Sequence, residues 1–456
     1  MIPDTVFADL ALVLDKRVTR SKSDLEQHGR SEAWHPDTPP DAVAYPKTTQ
    51  EVSAIVKICH ANDIPIIGWG TGTSLEGQTS AIHGGLIVDF TQMNKILQVN
   101  DSDMDAIVQP GVTREQLNIE LRTSGLMFPV DPGANASLGG MAMTRASGTT
   151  AVKYGTMADN VIGLEVVLAD GTVIKTGTRA RKSSAGYDLT KLFVGSEGTL
   201  GLVTELTMRL HGQPEKILAG VCSFDDIDSA VNTVMLAIQM GIPMARIEFL
   251  DVSAVQAVNS YAGSEFPLKP HLFVECHGSD TGVESQIETL SELIDDFGGS
   301  PLEWASKPED RNALWTMRHN AYYACLALKK GCVSVITDIC VPISNLAEAV
   351  VETAEDIEKS FLDGPILGHV GDGNFHAVLL IEPDNAEDLA EAKRLADLMA
   401  KRALRFGGTV TGEHGIGIGK KHFMAQEHGD AAWDTMGALK TALDPKNIMN
   451  PGKLVR

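Results

Sequence analysis

No two of the six cysteines, Cys59, Cys222, Cys276, Cys325, Cys332 and Cys340, form a Cys-x-x-Cys pair. That spacing argues against an iron–sulfur cluster, a thiolate zinc site or a disulfide framework, and the cysteines read as buried thiols in a reducing compartment. No run approaches the roughly 20 apolar residues that a membrane span requires. Any exchange with membrane electron carriers is therefore expected to be peripheral. Met1 to Arg17 alternates acidic and apolar residues, lacks a long hydrophobic core and is not rich in arginine. This matches neither a secretory nor an organellar signal, so the expected location is the cytoplasm. Positive charge is scarce as well: 38 basic side chains stand against 60 acidic ones, for a net charge of −22. Such a surface repels phosphate backbones and anionic lipid, which excludes nucleic acid as a partner. What is present is a chain of 456 residues, 43 % hydrophobic, enough for two or three domains with cores of their own.

After a polar lead-in, Pro40 to Pro46 reads as extended chain, and Thr49 to Asn62 places Val52, Ile55, Val56 and Cys59 on one helical face. Ile64 to Ile67 is a short apolar strand running into Gly68-Trp69-Gly70-Thr71-Gly72-Thr73-Ser74. Leu86 to Phe90 and Ala106 to Gln109 read as further strands, and Thr113 with Gln116 predicts a capping box for a helix that stops at Gly125. Val161 to Ala169 and Thr172 to Thr176 flank Asp170-Gly171, a two-residue hairpin signal. Leu202 to Leu210 alternates as a half-buried strand does. From Ile217 the pattern changes to strand, helix, strand units: Leu218 to Phe224, Ser229 to Met240, Arg246 to Leu250 and His271 to Cys276, then Ser334 to Val341, Leu346 to Phe361 and Asn374 to Leu380. Two such sets predict a mixed or antiparallel sheet with helices on one face. A helix over Glu387 to Phe406 and a glycine-rich loop over Thr411 to Gly419 follow.

The stretch Gly68 to Ser80 is dense in glycine, threonine and serine directly after a strand, so backbone N–H groups and hydroxyls can cradle a pyrophosphate. It lacks both Gly-x-Gly-x-x-Gly opening a helix and the Lys-Ser/Thr ending of a P-loop, and a tight surface turn is the alternative. Further loops of small residues, PGANASLGG (132–140), RASGT (145–149) and VGSEGTLG (194–201), point to a large, flat, phosphate-bearing ligand. In GHVGDGNFHA (368–377), a four-residue hairpin loop over Gly371 to Asn374 would pair Val370 with Phe375 and His369 with His376. Two imidazoles on one face, with Cβ atoms about 5 Å apart, can share a metal ion; two histidines capping a turn are the alternative. TGEHGIGIGK (411–420) adds Glu413 and His414, which can face one site only if glycine bends the backbone there. His369, His376 and Glu413 would make a His₂Glu site with open positions, as a catalytic metal needs, leaving His414 as a base. Arg318 lies on an amphipathic helix with Leu314, Trp315 and Ala321 as packing residues, and a lone helical arginine usually faces solvent.

These segments, with PDAVAYPKTTQEV, LWTMRHNA, TDICVPIS and NPGK, resemble the FAD-linked D-lactate dehydrogenase (cytochrome) family of the vanillyl-alcohol oxidase type flavoproteins over nearly the whole chain. The resemblance implies an α+β protein: a PCMH-type FAD-binding domain over 1–215, a cap domain of mixed or antiparallel sheet covered by helices over 216–425, bearing the substrate and metal sites, and a C-terminal segment over 426–456 that returns to the FAD domain. It implies that Gly70, Thr71, Gly72, Thr73, Ser74 and Gly77 wrap the FAD pyrophosphate. Pro132, Gly133, Ser137, Gly139, Gly140, Ser147, Gly148, Tyr154, Gly155, Glu197, Gly198 and Gly201 would line the rest of the cofactor, with Asn450 reaching the flavin from the tail. Relatives that bind FAD covalently have a histidine where this chain has Thr73, so the resemblance implies non-covalent FAD. His369, His376 and Glu413 would hold zinc or manganese, His414 would be the base, and Arg318 would take the substrate carboxylate with its guanidinium fork.

By the same resemblance, the chain oxidises a small D-2-hydroxy acid to the 2-oxo acid by hydride transfer to flavin N5, and passes electrons to an external cytochrome, quinone or electron-transfer protein. Relatives acting on D-2-hydroxyglutarate carry a lysine near the TDICVP-like strand where this chain has Ile336, which favours D-lactate. Tyr322 and Tyr323 are further candidates for side-chain discrimination. A glycolate oxidase FAD subunit and a D-2-hydroxyglutarate dehydrogenase are the alternatives within the class, and a metal-dependent hydrolase is the alternative from another. The oligomeric state stays open, a homodimer included.

Overall fold

The computed structural model describes residues 1–31, 34–305 and 307–456. They gather into two compact units, one of Met1–Ser147, Gly155–Gln213 and Glu413–Arg456, the other of Gly148–Tyr154 and Pro214–Gly412.

In the first unit, a four-stranded sheet runs Val18–Thr19, Ala42–Ala44, Leu86–Asp89, Ile66–Trp69, the last three strands parallel. Parallel strands of one sheet need a crossover. The helix Thr49–Ala61 supplies one, started by the Thr48 hydroxyl, which accepts from the Glu51 N–H at 3.2 Å. Val52, Ile55, Val56 and Cys59 are fully buried along its inner stripe, as the periodicity predicts. The lead-in is more than polar chain: Asp4–Leu14 is a helix whose Val6, Leu10 and Leu14 join that core. Spacing of four puts these three on one stripe even though Asp9 lies between them. The tail lies beside the strand Ile66–Trp69, with the Ile66 N–H donating to Ile448 O at 2.7 Å and the Asn450 N–H to Ile66 O at 2.8 Å.

A five-stranded sheet, wholly antiparallel, runs Ile96–Asn100, Asp105–Val108, Leu202–Arg209, Val161–Val167, Val173–Gly177. Asp170-Gly171 turns its hairpin, pairing Val167 with Val173, and both halves of the capping box between Thr113 and Gln116 form.

The second unit is built on eight antiparallel strands, ordered Glu303–Ala305, Lys216–Ser223, His271–Gly278, Met244–Leu250, Ile366–Gly368, Asn374–Ile381, Val333–Ile336, with Ile339–Cys340 also paired to Asn374–Ile381. One face packs Ala219, Val221, Leu250, Phe273, Leu367, Val378 and Leu380 against helices Val252–Ala262, Pro308–His319 and Ala321–Ala327. Residues of the opposite parity, Ile247, Phe249, Leu272, Val274, Ala377 and Leu379, are buried too. The sheet is therefore covered on both faces, not on the single face expected. The near-continuous apolar runs of its strands follow from that, since alternation marks a sheet with one wet side.

Among the described residues no helix is long and apolar enough to cross a membrane. Cys59, Cys222, Cys276 and Cys325 are buried, but Cys332 and Cys340 are only half-buried; none is in a disulfide.

Candidate active site

Strand register decides which side chains meet in the second unit. Leu250 pairs with Leu367, Leu367 with His376, and Val378 with Ile336, so Glu248, His376 and Ile336 share the face that also carries Leu250. The sequence register for the histidines is off by two. His376 stands opposite Leu367, not His369, because Val370–Asp372 forms a 3₁₀ turn, with the Asp372 N–H donating to His369 O at 3.0 Å and lengthening the loop. A slip of two residues preserves the face where a slip of one would reverse it. The imidazoles accordingly remain neighbours, with ring centroids 5.5 Å apart.

Each ring is held through Nδ1. His369 Nδ1–H donates to Glu248 Oε1 at 2.8 Å, with Oε2 at 3.0 Å, and His376 Nδ1–H donates to the Thr337 carbonyl at 3.0 Å. Carboxylate and carbonyl oxygens only accept, so a proton sits on each Nδ1, and in the neutral ring that leaves the lone pair on Nε2, the tautomer a metal ligand requires. Arg318, the penultimate residue of the helix Pro308–His319, is 6 % exposed, against the surface position that a lone helical arginine predicts. Its Nη2–H donates to Glu248 Oε2 at 2.5 Å, while its buried Nε–H has no acceptor among the described residues. Glu248 is a residue that sequence reasoning missed. The signal available was a lone carboxylate within the apolar strand Arg246 to Leu250, at an alternation position that buries it.

Asp338, fully buried, accepts from Asn374 Nδ2 at 2.7 Å and from Thr411 Oγ1 at 2.7 Å. The chain then passes Gly412, where any side chain would collide with Asn374. It enters Glu413 and His414, whose side chains approach to 4.0 Å between Oε1 and Nε2. Side chains of adjacent residues in an extended strand diverge, so the backbone is bent here, the condition for Glu413 and His414 to serve one site. Tyr323 is exposed, whereas the Tyr322 hydroxyl lies 3.2 Å from Ser334 Oγ, two positions before Ile336.

The glycine-rich loops of the first unit hold features suited to a phosphate-bearing cofactor. Ser74 Oγ is buried without a hydrogen-bond partner among the described residues, and Gly133 and Gly198 border open space. A side chain at Gly70 would strike Ser137 Oγ, so these two loops touch. Gly139 and Gly201 also serve packing, against Pro110 and against Val166 and Val167. The Tyr154 hydroxyl lies 2.7 Å from His277 Nδ1, while His277 Nε2 donates to Glu275 Oε1 at 2.7 Å.

Glu197 and Asn450 organise the loop after His414. Glu197 Oε1 accepts from the Ile416 N–H at 2.7 Å and Oε2 from the Gly417 N–H at 2.9 Å, and Asn450 Nδ2 donates to the carbonyls of Gln78 and Glu197 at 2.9 and 2.7 Å. Burial pushes the Glu197 carboxyl up to about 7, beyond what those N–H donors restore. A folded pKa above the unfolded one means that its contribution to stability is complete below about pH 4.5 and is lost as pH rises through about 7. Wild type is therefore expected to lose stability over that window relative to Glu197→Gln, by on the order of 3 kcal/mol at most. Denaturant unfolding of both proteins at pH 5, 6 and 7.5 checks this; parallel pH curves would show that Glu197 does not titrate there.

Residues 40–177 match the family described as FAD binding domain, and residues 213–454 the family described as FAD linked oxidases, C-terminal domain. A probable D-lactate dehydrogenase, mitochondrial, of Danio rerio is 48 % identical over 97 % of this chain and 89 % of its own. The D-lactate dehydrogenase (cytochrome), mitochondrial, of Arabidopsis thaliana is 40 % identical over 100 % of this chain and 80 % of its own. A glycolate oxidase subunit of Bacillus subtilis is 36 % identical over 91 % of this chain and 89 % of its own. Among solved structures, p-cresol methylhydroxylase superposes with a TM-score of 0.81 over 99 % of this chain and 96 % of its own, at 19 % identity, which establishes the α+β PCMH-type fold. The cytoplasmic expectation does not stand, since the Danio rerio and Arabidopsis thaliana relatives are both named mitochondrial. Free thiols report a redox state that several compartments share, so they could not decide the location.

Proposed function

The chain belongs to the FAD-linked D-lactate dehydrogenase (cytochrome) family, and from that premise we propose that it oxidises D-lactate to the 2-oxo acid with the help of a divalent metal, zinc or manganese. Electrons then pass to an external acceptor, a cytochrome, quinone or electron-transfer protein. The observation that carries this reading is the grouping in the second unit of two Nδ1-held imidazoles 5.5 Å apart with the buried Nε–H of Arg318.

His369, His376 and Glu413 would hold the metal, and two neutral imidazoles with one carboxylate suit a divalent ion of intermediate softness. Such an ion supplies Lewis acidity that lowers the pKa of the substrate hydroxyl. FAD, held without a covalent bond by the loops around Ser74, Gly133 and Gly198, supplies the two-electron acceptor. Arg318 binds the substrate carboxylate and so fixes the direction in which the one hydrogen on the 2-carbon of D-lactate is presented. His414 takes the hydroxyl proton on an imidazole nitrogen. Ile336, paired with Val378, is an apolar side chain where relatives acting on D-2-hydroxyglutarate carry a lysine, which favours a monocarboxylate. Glycolate is the competing substrate, favoured by the likeness to the Bacillus subtilis subunit. A hydrolase using the same side chains leaves the match to an FAD-binding domain unexplained.

Anaerobic titration of the metal-loaded yellow protein with D-lactate, L-lactate, glycolate and D-2-hydroxyglutarate tests the reading. Bleaching of the flavin is expected with D-lactate and not with L-lactate. Bleaching by the dicarboxylate alone would overturn the inference from Ile336, and none with any acid would overturn the substrate class.

A further inference from the structure

We propose that Glu248 is a positioning residue that couples the metal ligand His369 to the substrate-binding Arg318, so that one carboxylate sets both the metal centre and the carboxylate-binding fork. This rests on the functional reading above. Glu248 is fully buried in the strand Met244–Leu250, near the middle of the eight-stranded sheet. His369 lies 121 residues away in sequence and Arg318 lies 70 away, and both donate to this one carboxylate. A carboxyl group without exposure needs hydrogen-bond partners in place of water, and these two donors supply them.

The consequences run in both directions from the carboxylate. Toward His369 it holds the proton on Nδ1, makes Nε2 the coordinating nitrogen, strengthens that nitrogen as a donor and fixes the ring plane. Toward Arg318 it consumes one N–H of the guanidinium and sets the angle of the rest, leaving the buried Nε–H, without an acceptor among the described residues, for a ligand oxygen. A neighbouring carboxylate provides the comparison. Glu275 is nearly as buried and accepts from Trp315 Nε1 at 2.6 Å, one turn before Arg318 on the same helix, but its imidazole partner is His277, not His369. The helix is thus tied to the sheet at two points, and Glu248 alone of these two carboxylates hydrogen-bonds His369.

The test is competition between a chelator and metal-stripped FAD-bound protein reloaded with manganese or zinc, alongside the rate of anaerobic flavin reduction as D-lactate is raised. Glu248→Gln is expected to lower metal affinity by about 10- to 100-fold with FAD content unchanged. Under saturating metal it is expected to weaken D-lactate binding more than it lowers the limiting rate. Glu275→Gln, which loosens the same helix, is expected to leave metal affinity at the wild-type value. Should Glu248→Gln fail to accumulate, Glu248→Asp keeps the charge but withdraws it by one methylene, and a smaller loss of metal affinity is expected. Wild-type metal affinity in the Glu248 variant, or an equal loss in Glu275→Gln, would overturn the coupling while leaving the functional reading intact. Wild type that takes up no metal would overturn that reading and the coupling with it.

Discussion

Replacing His376 by alanine is expected to abolish binding of the proposed divalent metal and to lower D-lactate turnover by on the order of 10³-fold. The magnitude follows from the size of the term removed. A Lewis acid on the reacting oxygen contributes several kcal/mol, and each 1.4 kcal/mol is about a factor of ten in rate. His376 is 4 % exposed, lies in a strand whose eight residues are all buried, and has its Nδ1–H committed to Thr337 O, so no other rotamer or nearby solvent stands in for it. The FAD loops belong to the other unit, so the variant should purify yellow with its flavin ratio unchanged. Elemental analysis and turnover with an artificial acceptor measure the two effects. Full metal content together with full turnover would remove His376 from the ligand set.

His414→Ala should slow anaerobic flavin reduction by roughly 10²- to 10⁴-fold while metal and FAD stay bound, the loss typical of a missing general base. The loop around His414 is secured through its backbone. Gln78 Nε2 donates to the His414 carbonyl at 2.7 Å, and Glu197 gathers the N–H groups of Ile416 and Gly417. None of these contacts uses the imidazole. Stopped-flow reduction by D-lactate separates the two histidines, since His376→Ala should fail for want of metal and His414→Ala should fail with metal in place. Reduction at the wild-type rate in His414→Ala would sink its assignment as the base.

Local structure was the part most open to reading. The stripe Val52, Ile55, Val56 and Cys59, the Thr113–Gln116 capping box and the Asp170-Gly171 hairpin each depend on residues within a few positions of one another, and all three form. Errors begin where a segment's meaning depends on distant chain. The helix Asp4–Leu14 hides in an acidic lead-in because its apolar stripe makes sense only against a core supplied elsewhere. The histidine hairpin was assigned the right face and the wrong register, because the 3₁₀ turn at Val370–Asp372 left no mark in a glycine-rich loop that accommodates several turns. Helices on both faces of the second sheet were foreshadowed by its continuous apolar strands, which a one-faced sheet would not need.

By itself, the sequence determined which chemistry was available: two imidazoles at hairpin spacing, a carboxylate and a third imidazole on a glycine-bent loop, a helical arginine, and small-residue loops fit for a pyrophosphate. Only the tertiary structure decided how those groups are set. Antiparallel pairing brings Glu248 to His369 across 121 residues and packing of the helix Pro308–His319 on the sheet brings it to Arg318 across 70, which sets the tautomer of one and buries the guanidinium of the other. Periodicity reports the face on which a side chain lies; its partner across the sheet is set by loop lengths and strand order, which local propensity does not encode.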